Sequence, residues 1–180
     1  MPVQHGIVGP IPEGQEPEEY DKLRRRVLWK MPAGLFAVGS RAGDRRNMMT
    51  ANWVSQVSFD PKLVAVSVEK AALTHELIEQ GHAFSVNMVD REERAVVRKF
   101  TKPVIVDEQA QTFNEIPFRD GSTGVPVLRD AVAFVECEVR QEVDCGDHTL
   151  FVGEVVEAGF QKPEETEVLR MGDTRMNYGG

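Results

Sequence analysis

Near the C-terminus lie two long β-forming runs, Ala131–Gln141 and Thr149–Phe160, joined by the polar segment Asp144-Cys145-Gly146-Asp147-His148. Apolar and polar residues alternate along both, and the joining segment carries the glycine and aspartates of a turn, so the pair reads as a hairpin. Strands this long and this regularly alternating do not suit a doubly wound parallel sheet. They favour a closed or nearly closed antiparallel barrel.

The rest of the chain supplies more strands of the same kind. Leu35–Ser40 is a strand, and Arg41–Arg46 is a polar hairpin turn bending at Gly43 and Asp44. Asn47–Ser58 reads as one further strand, stopped by Phe59-Asp60-Pro61 because proline cannot donate to a ladder. Leu63–Val68 and Ala83–Val89 complete a set of about six strands in a mainly β chain. Short helices fall between them. Glu18–Trp29 is amphipathic, starts after Pro17 and is ended by Pro32 and Gly34. Thr74–Gln80 takes Thr74 as its N-cap and Gly81 as its C′ residue, and Asp90 caps Arg91–Phe100 with Ala95, Val96 and Phe100 inward. Residues 101–130 read as an irregular excursion with three prolines, long enough to suggest a function or a covered partner. The tail holds a short strand at Glu167–Met171. Residues 1–19, with four prolines and three glycines, form an extended lead-in, and 20–180 are expected to be one domain.

Charge and cysteine usage remove whole classes of function. A net charge of −8 without a basic stripe argues against nucleic acid and anionic membranes as partners. The cluster Arg24, Arg25, Arg26 and Lys30 reads as a solvated helix face. No apolar run approaches the ~20 residues of a membrane span, and the N-terminus lacks the basic and apolar regions of a secretory signal. Cys137 and Cys145, eight apart, make neither a disulfide framework nor a zinc site, so no metal is expected. Both read as reduced thiols of a cytoplasmic protein.

Three stretches carry candidate chemistry. Asn47–Pro61 mixes neutral hydrogen-bonding groups (Thr50, Asn52, Ser55, Gln56, Ser58) with soft apolar surface (Met48, Met49, Trp53), a mixture suited to a flavin ring and equally to a half-exposed edge strand. Glu69-Lys70-Ala71-Ala72-Leu73-Thr74 opens a helix, and its N–H groups with Lys70 and Thr74 can hold a phosphate or form an ordinary capped turn. His148, beside Asp147, is either a proton donor or a surface turn histidine; His5, His75 and His82 read as more exposed or incidental.

Taken in order, these stretches resemble the flavin reductase-like family of FMN-binding split barrels. The resemblance rests on Asn47-Met48-Met49-Thr50-Ala51-Asn52-Trp53 through Val57–Val64, then Glu69-Lys70…Thr74, Phe84–Met88, Phe100 and Gly146–Val155, and covers about Lys30 to Phe160. It implies a six-stranded Greek-key split β-barrel and a homodimer with FMN near the subunit interface. It implies hydride transfer from NADH or NADPH to FMN, with FAD or riboflavin as further flavin substrates, and a monooxygenase as a partner. By position, Thr50, Ala51, Asn52 and Trp53 line the ring and ribityl chain, and Ser55 sits towards the ribityl-phosphate end. Ser67, Lys70, Ala71, Ala72 and Thr74 surround the phosphate, His148 stands where nicotinamide stacks, and Phe100 and Tyr178 flank the site. The Asn52-Trp53 pair is closer to the flavoredoxin-like branch, which implies as alternatives a bound-FMN electron carrier or a non-enzymatic ligand-binding barrel.

Overall fold

A computed structural model of the chain describes residues 9–102 and 104–176. It divides into two compact units, one of 33–174 and one of the two termini. In the terminal unit, α1 (Pro17–Leu28) starts on Glu16, whose side chain accepts the Glu19 N–H, with proline at the first turn. The helix stops at Leu28, before Pro32, and none of its residues is buried.

The larger unit is built on a seven-stranded antiparallel sheet in the order β2-β1-β5-β10-β11-β4-β3. Its strands are β1 (Phe36–Ala42), β2 (Arg45–Ala51), β3 (Val54–Phe59), β4 (Lys62–Glu69), β5 (Ala83–Met88), β10 (Ala133–Cys145) and β11 (His148–Phe160). The count is seven, not the expected six, because Asn47–Ser58 is two strands. Its first half pairs with β1 and its second half with β4. The two edges of the sheet are therefore consecutive in the chain, joined only by Asn52 and Trp53. That corner is the seam of the split barrel. β10 and β11 pair along their full length, with bulges at Glu136/Cys137 and Val139/Gln141 that re-aim the strands.

The core gathers Val38, Val66, Val68, Ile78, Phe84, Val86, Cys137 and Phe151. Phe84 occupies its centre because Gly153, on β11, gives it room: a Cβ there would lie 2.7 Å from the Phe84 ring. Helix α2 (Leu73–Gly81) buries Thr74, His75, Leu77 and Ile78. Gly81 is its last helical residue, and His82 takes the left-handed C-cap at φ 53. Glycine is needed at 81 because any Cβ would overlap the Arg41 carbonyl oxygen. The expected helix at Arg91–Phe100 is broken into a 3-10 turn, Arg91–Glu93, and a single turn α3 (Ala95–Arg98). Val97 and Phe100 point inward and Ala95 outward, since the tighter first turn shifts the helical phase.

The 101–130 excursion is a second, four-stranded antiparallel sheet: β6 (Val106–Asp107), β7 (Thr112–Phe113), β8 (Ile116–Asp120) and β9 (Pro126–Leu128). It is fixed to the main sheet by buried polar groups. Glu136, fully buried, accepts from the backbone and hydroxyls of Ser122 and Thr123. Asn87 accepts the Leu128 N–H at 2.9 Å, and Ser85 donates to the Pro126 carbonyl at 2.6 Å. The expected tail strand reduces to two isolated bridges, Gly34 to Arg170 and Asp90 to Val168.

The two thiols lie in contrasting surroundings. Burial, with the neighbouring Glu136 charge, pushes Cys137 up to about 12, whereas Cys145 is exposed. Native protein treated with iodoacetamide at pH 8 is therefore expected to take up one equivalent, at Cys145, and a second only after denaturation; mass spectrometry of tryptic peptides checks it.

Candidate functional site

The seam and the turn after β4 face one another because of the ladder between them. β11 begins at His148, which pairs with Glu69 at the end of β4, and β4 pairs in turn with β3. The corner residue Trp53 is locked by its carbonyl, which accepts the Ser67 N–H at 3.0 Å. This register brings the Trp53 indole and His148 imidazole to a centroid separation of 5.0 Å, tilted at 56°. Trp53 remains 39% exposed at the seam. His148 Nδ1 lies 2.7 Å from Asp147 Oδ1.

Below this pair, the β4–α2 turn presents a set of donors. Helix α2 starts on Ala72 and has no side-chain cap; the His75 N–H turns back to the Ala72 carbonyl at 3.0 Å, which leaves the Leu73 and Thr74 amides to an external acceptor. The Lys70 N–H donates to the Asp147 carbonyl at 2.9 Å, and the Lys70 ammonium lies 3.0 Å from Asp144 Oδ1. A cavity of about 840 Å³ opens beside the turn, lined by Lys70, Ala71, Ala72 and Leu73 and also by Glu76, Glu79, Glu142 and Asp144.

Asn52, Trp53, Ser67, Lys70, Ala71, Ala72 and His148 thus lie along one stretch of connected ladder and turn. The others stand apart from it or are engaged elsewhere. Thr50 is committed at both ends to the α3 segment: its hydroxyl donates to the Val97 carbonyl and its N–H to the Phe100 carbonyl. Ala51 is buried, Ser55 is exposed on β3, and the Phe100 ring is buried behind β2. Thr74 is not the N-cap; it is fully buried, and its hydroxyl accepts from Asn47 Nδ2 at 2.9 Å. Tyr178 lies outside the described residues.

Two functional neighbours escape a reading of the sequence. Asp144 looks like a turn residue, and its Oδ1 does accept the Gly146 N–H at 2.9 Å, yet the same oxygen holds Lys70. His75 is buried, not exposed. Its Nε2 lies 2.7 Å from Thr149 Oγ1 and its ring packs edge-on against Phe151. The alternation that places Thr149 and Phe151 on one face of β11 gives no hint of the helix that covers them.

Among the described residues no helix is long and apolar enough to cross a membrane, and no group of His, Cys, Asp and Glu is placed to hold a metal.

Residues 28–180 match the flavin reductase like domain. A ferric-chelate reductase (NAD(P)H) of Archaeoglobus fulgidus is 34% identical over 161 residues, covering 86% of this chain and 90% of that protein. Among solved structures, an NADH:FAD oxidoreductase of Streptomyces globisporus superposes with a TM-score of 0.72 at 30% identity, covering 92% of this chain and 90% of that one. The styrene monooxygenase flavin reductase of Pseudomonas putida S12 superposes with a TM-score of 0.67 at 28% identity, covering 82% and 90%. Other curated relatives are longer: the chain spans 58% of one and 23% and 25% of two more.

Proposed function

The chain belongs to the flavin reductase like domain family, and on that premise we propose that it is an NAD(P)H-dependent flavin reductase that binds FMN across the β2–β3 seam. The observation that carries the reading is the pairing of an uncapped α2 N-terminus beside Lys70 with the partly exposed Trp53, packed against His148, on the same ladder. The first offers positive dipole and amide donors to a phosphate, and the second offers apolar and edge-on contact to a planar ring. The residues present therefore fit the group.

Bound flavin supplies the hydride-accepting chemistry; the protein's part is to bind, orient and exclude water. Trp53 and Asn52 border the ring, Ser67 fixes the Trp53 backbone, and Lys70 with the first amides of α2 takes the phosphate. His148 borders the place for nicotinamide, its ring oriented by Asp147 Oδ1, 2.7 Å from Nδ1. Thr50, Ser55, Ala51 and Thr74 border or support this arrangement through β2, β3 and α2. FAD and riboflavin are further flavin substrates of the same site.

The protein acts as a homodimer, supported by the apolar side chains left exposed on the β3 edge strand, Val57 at 53% and Phe59 at 86%. Its reduced flavin passes to a monooxygenase component, a reading supported by the likeness to the styrene monooxygenase reductase. Its two unpaired cysteines fit a reducing cytoplasm.

Anaerobic mixing of the flavin-loaded protein with NADH or NADPH tests the proposal. Bleaching of the flavin absorbance within seconds supports a reductase. A protein that stays yellow with both nucleotides is an electron carrier reduced by another protein, and one that binds no flavin is neither.

A further inference from the structure

The cation expected to meet the flavin phosphate is already engaged by a carboxylate of the same chain. Lys70 Nζ lies 3.0 Å from Asp144 Oδ1, on the hairpin turn that also positions His148. The pair is not an accident of a loose side chain. Asp144 Oδ1 is fixed by the Gly146 N–H at 2.9 Å, and the Lys70 backbone is fixed by its bond to the Asp147 carbonyl. The Lys70 ammonium, followed by the Gly146 amide, holds the Asp144 carboxyl below the usual carboxylate range, so it is charged at neutral pH. The cavity beside the turn adds Glu76, Glu79 and Glu142 to its lining.

Taking the flavin site of the preceding section as given, we propose that Asp144 competes with the flavin phosphate for Lys70 and so sets phosphate-bearing flavins to exchangeable binding. A phosphate approaching the α2 N-terminus has to draw Lys70 away from Asp144 or accept the carboxylate as a like-charged neighbour. Either way the charge-assisted bond it gains is offset by one that the protein loses. A carrier that keeps its FMN has no use for such a competitor. An enzyme that takes up oxidised flavin and releases it reduced does, because the offset falls on the part of the ligand that does no chemistry.

Fluorescence titration of FMN and of riboflavin, which lacks the phosphate, against wild-type protein, Asp144→Asn and Glu142→Gln tests this. Asparagine keeps an oxygen for the Gly146 N–H while removing the charge, so the turn is retained. Asp144→Asn is expected to tighten FMN about three- to tenfold and to leave riboflavin unchanged, with the gain shrinking in high salt. Glu142→Gln, which neutralises a carboxylate of the same lining while leaving the Lys70–Asp144 pair in place, is expected to change FMN affinity less. An unchanged FMN affinity in Asp144→Asn overturns the proposal. So does an equal gain for riboflavin, or an equal gain from Glu142→Gln. Failure of the wild-type protein to bind riboflavin or FMN is a different result: it removes the flavin site itself, and the competition with it.

Discussion

Replacing Phe84 by alanine is expected to lower the unfolding free energy by about 3–5 kcal/mol, the range for removing a large aromatic from a closed core. Phe84 is fully buried on β5, a strand paired on both sides, and packs with Val38, Val66, Cys137 and Phe151. Its ring fills the space opposite Gly153, so truncation leaves a cavity in the core. At about 2–4 °C per kcal/mol for a chain of this length, the melting temperature falls by about 10 °C. Thermal unfolding followed by circular dichroism reads this directly. A loss under 1 kcal/mol would mean that the barrel interior is not packed around this ring.

The largest functional effect is expected at His148. His148→Ala is expected to lower kcat/KM for the nicotinamide substrate by about 100-fold, the lower end of the range for a positioned proton-handling group. Flavin affinity should change far less, because Lys70 and the α2 amides are untouched. Asp147→Asn is expected to fall between the wild type and His148→Ala. Its effect is indirect: an asparagine can present its amide N–H to Nδ1, favouring the tautomer with the proton on Nε2. Steady-state kinetics with NADH and NADPH, together with flavin titration of each variant, separates the two roles. Equal losses in flavin affinity and turnover would place His148 in binding alone.

The sequence reveals the barrel better than it reveals the seam. The β10–β11 hairpin and the Gly43–Asp44 turn are legible because their signals are local: two-residue alternation and glycine at φ 57 and 82 in the turns. The break at Asn52–Trp53 is not, because neither a glycine nor a proline marks it; it shows only in that β2 pairs back to β1 and β3 forward to β4. The strands of 101–130, two of them only two residues long, are too short to show periodicity and exist because Glu136, Asn87 and Ser85 hold their turns. Thr74 has the residue type and position of an N-cap, and a partner 27 residues upstream, Asn47, takes its hydroxyl instead. His75 stands among Glu76, Glu79 and Gln80 in the chain, so its burial depends on β11. The Lys70–Asp144 and Trp53–His148 contacts are products of strand register, which no single segment encodes.

The central claim is that a flavin ring lies against Trp53 at the seam. The chain has two tryptophans, and Trp29→Phe leaves Trp53 as the sole indole emitter. Titrating this variant with FMN, while following tryptophan emission and flavin fluorescence together, measures binding and its location in one experiment. Saturable quenching of Trp53 with the same midpoint as the flavin signal is expected. FMN binding that leaves the Trp53 emission unchanged would contradict it.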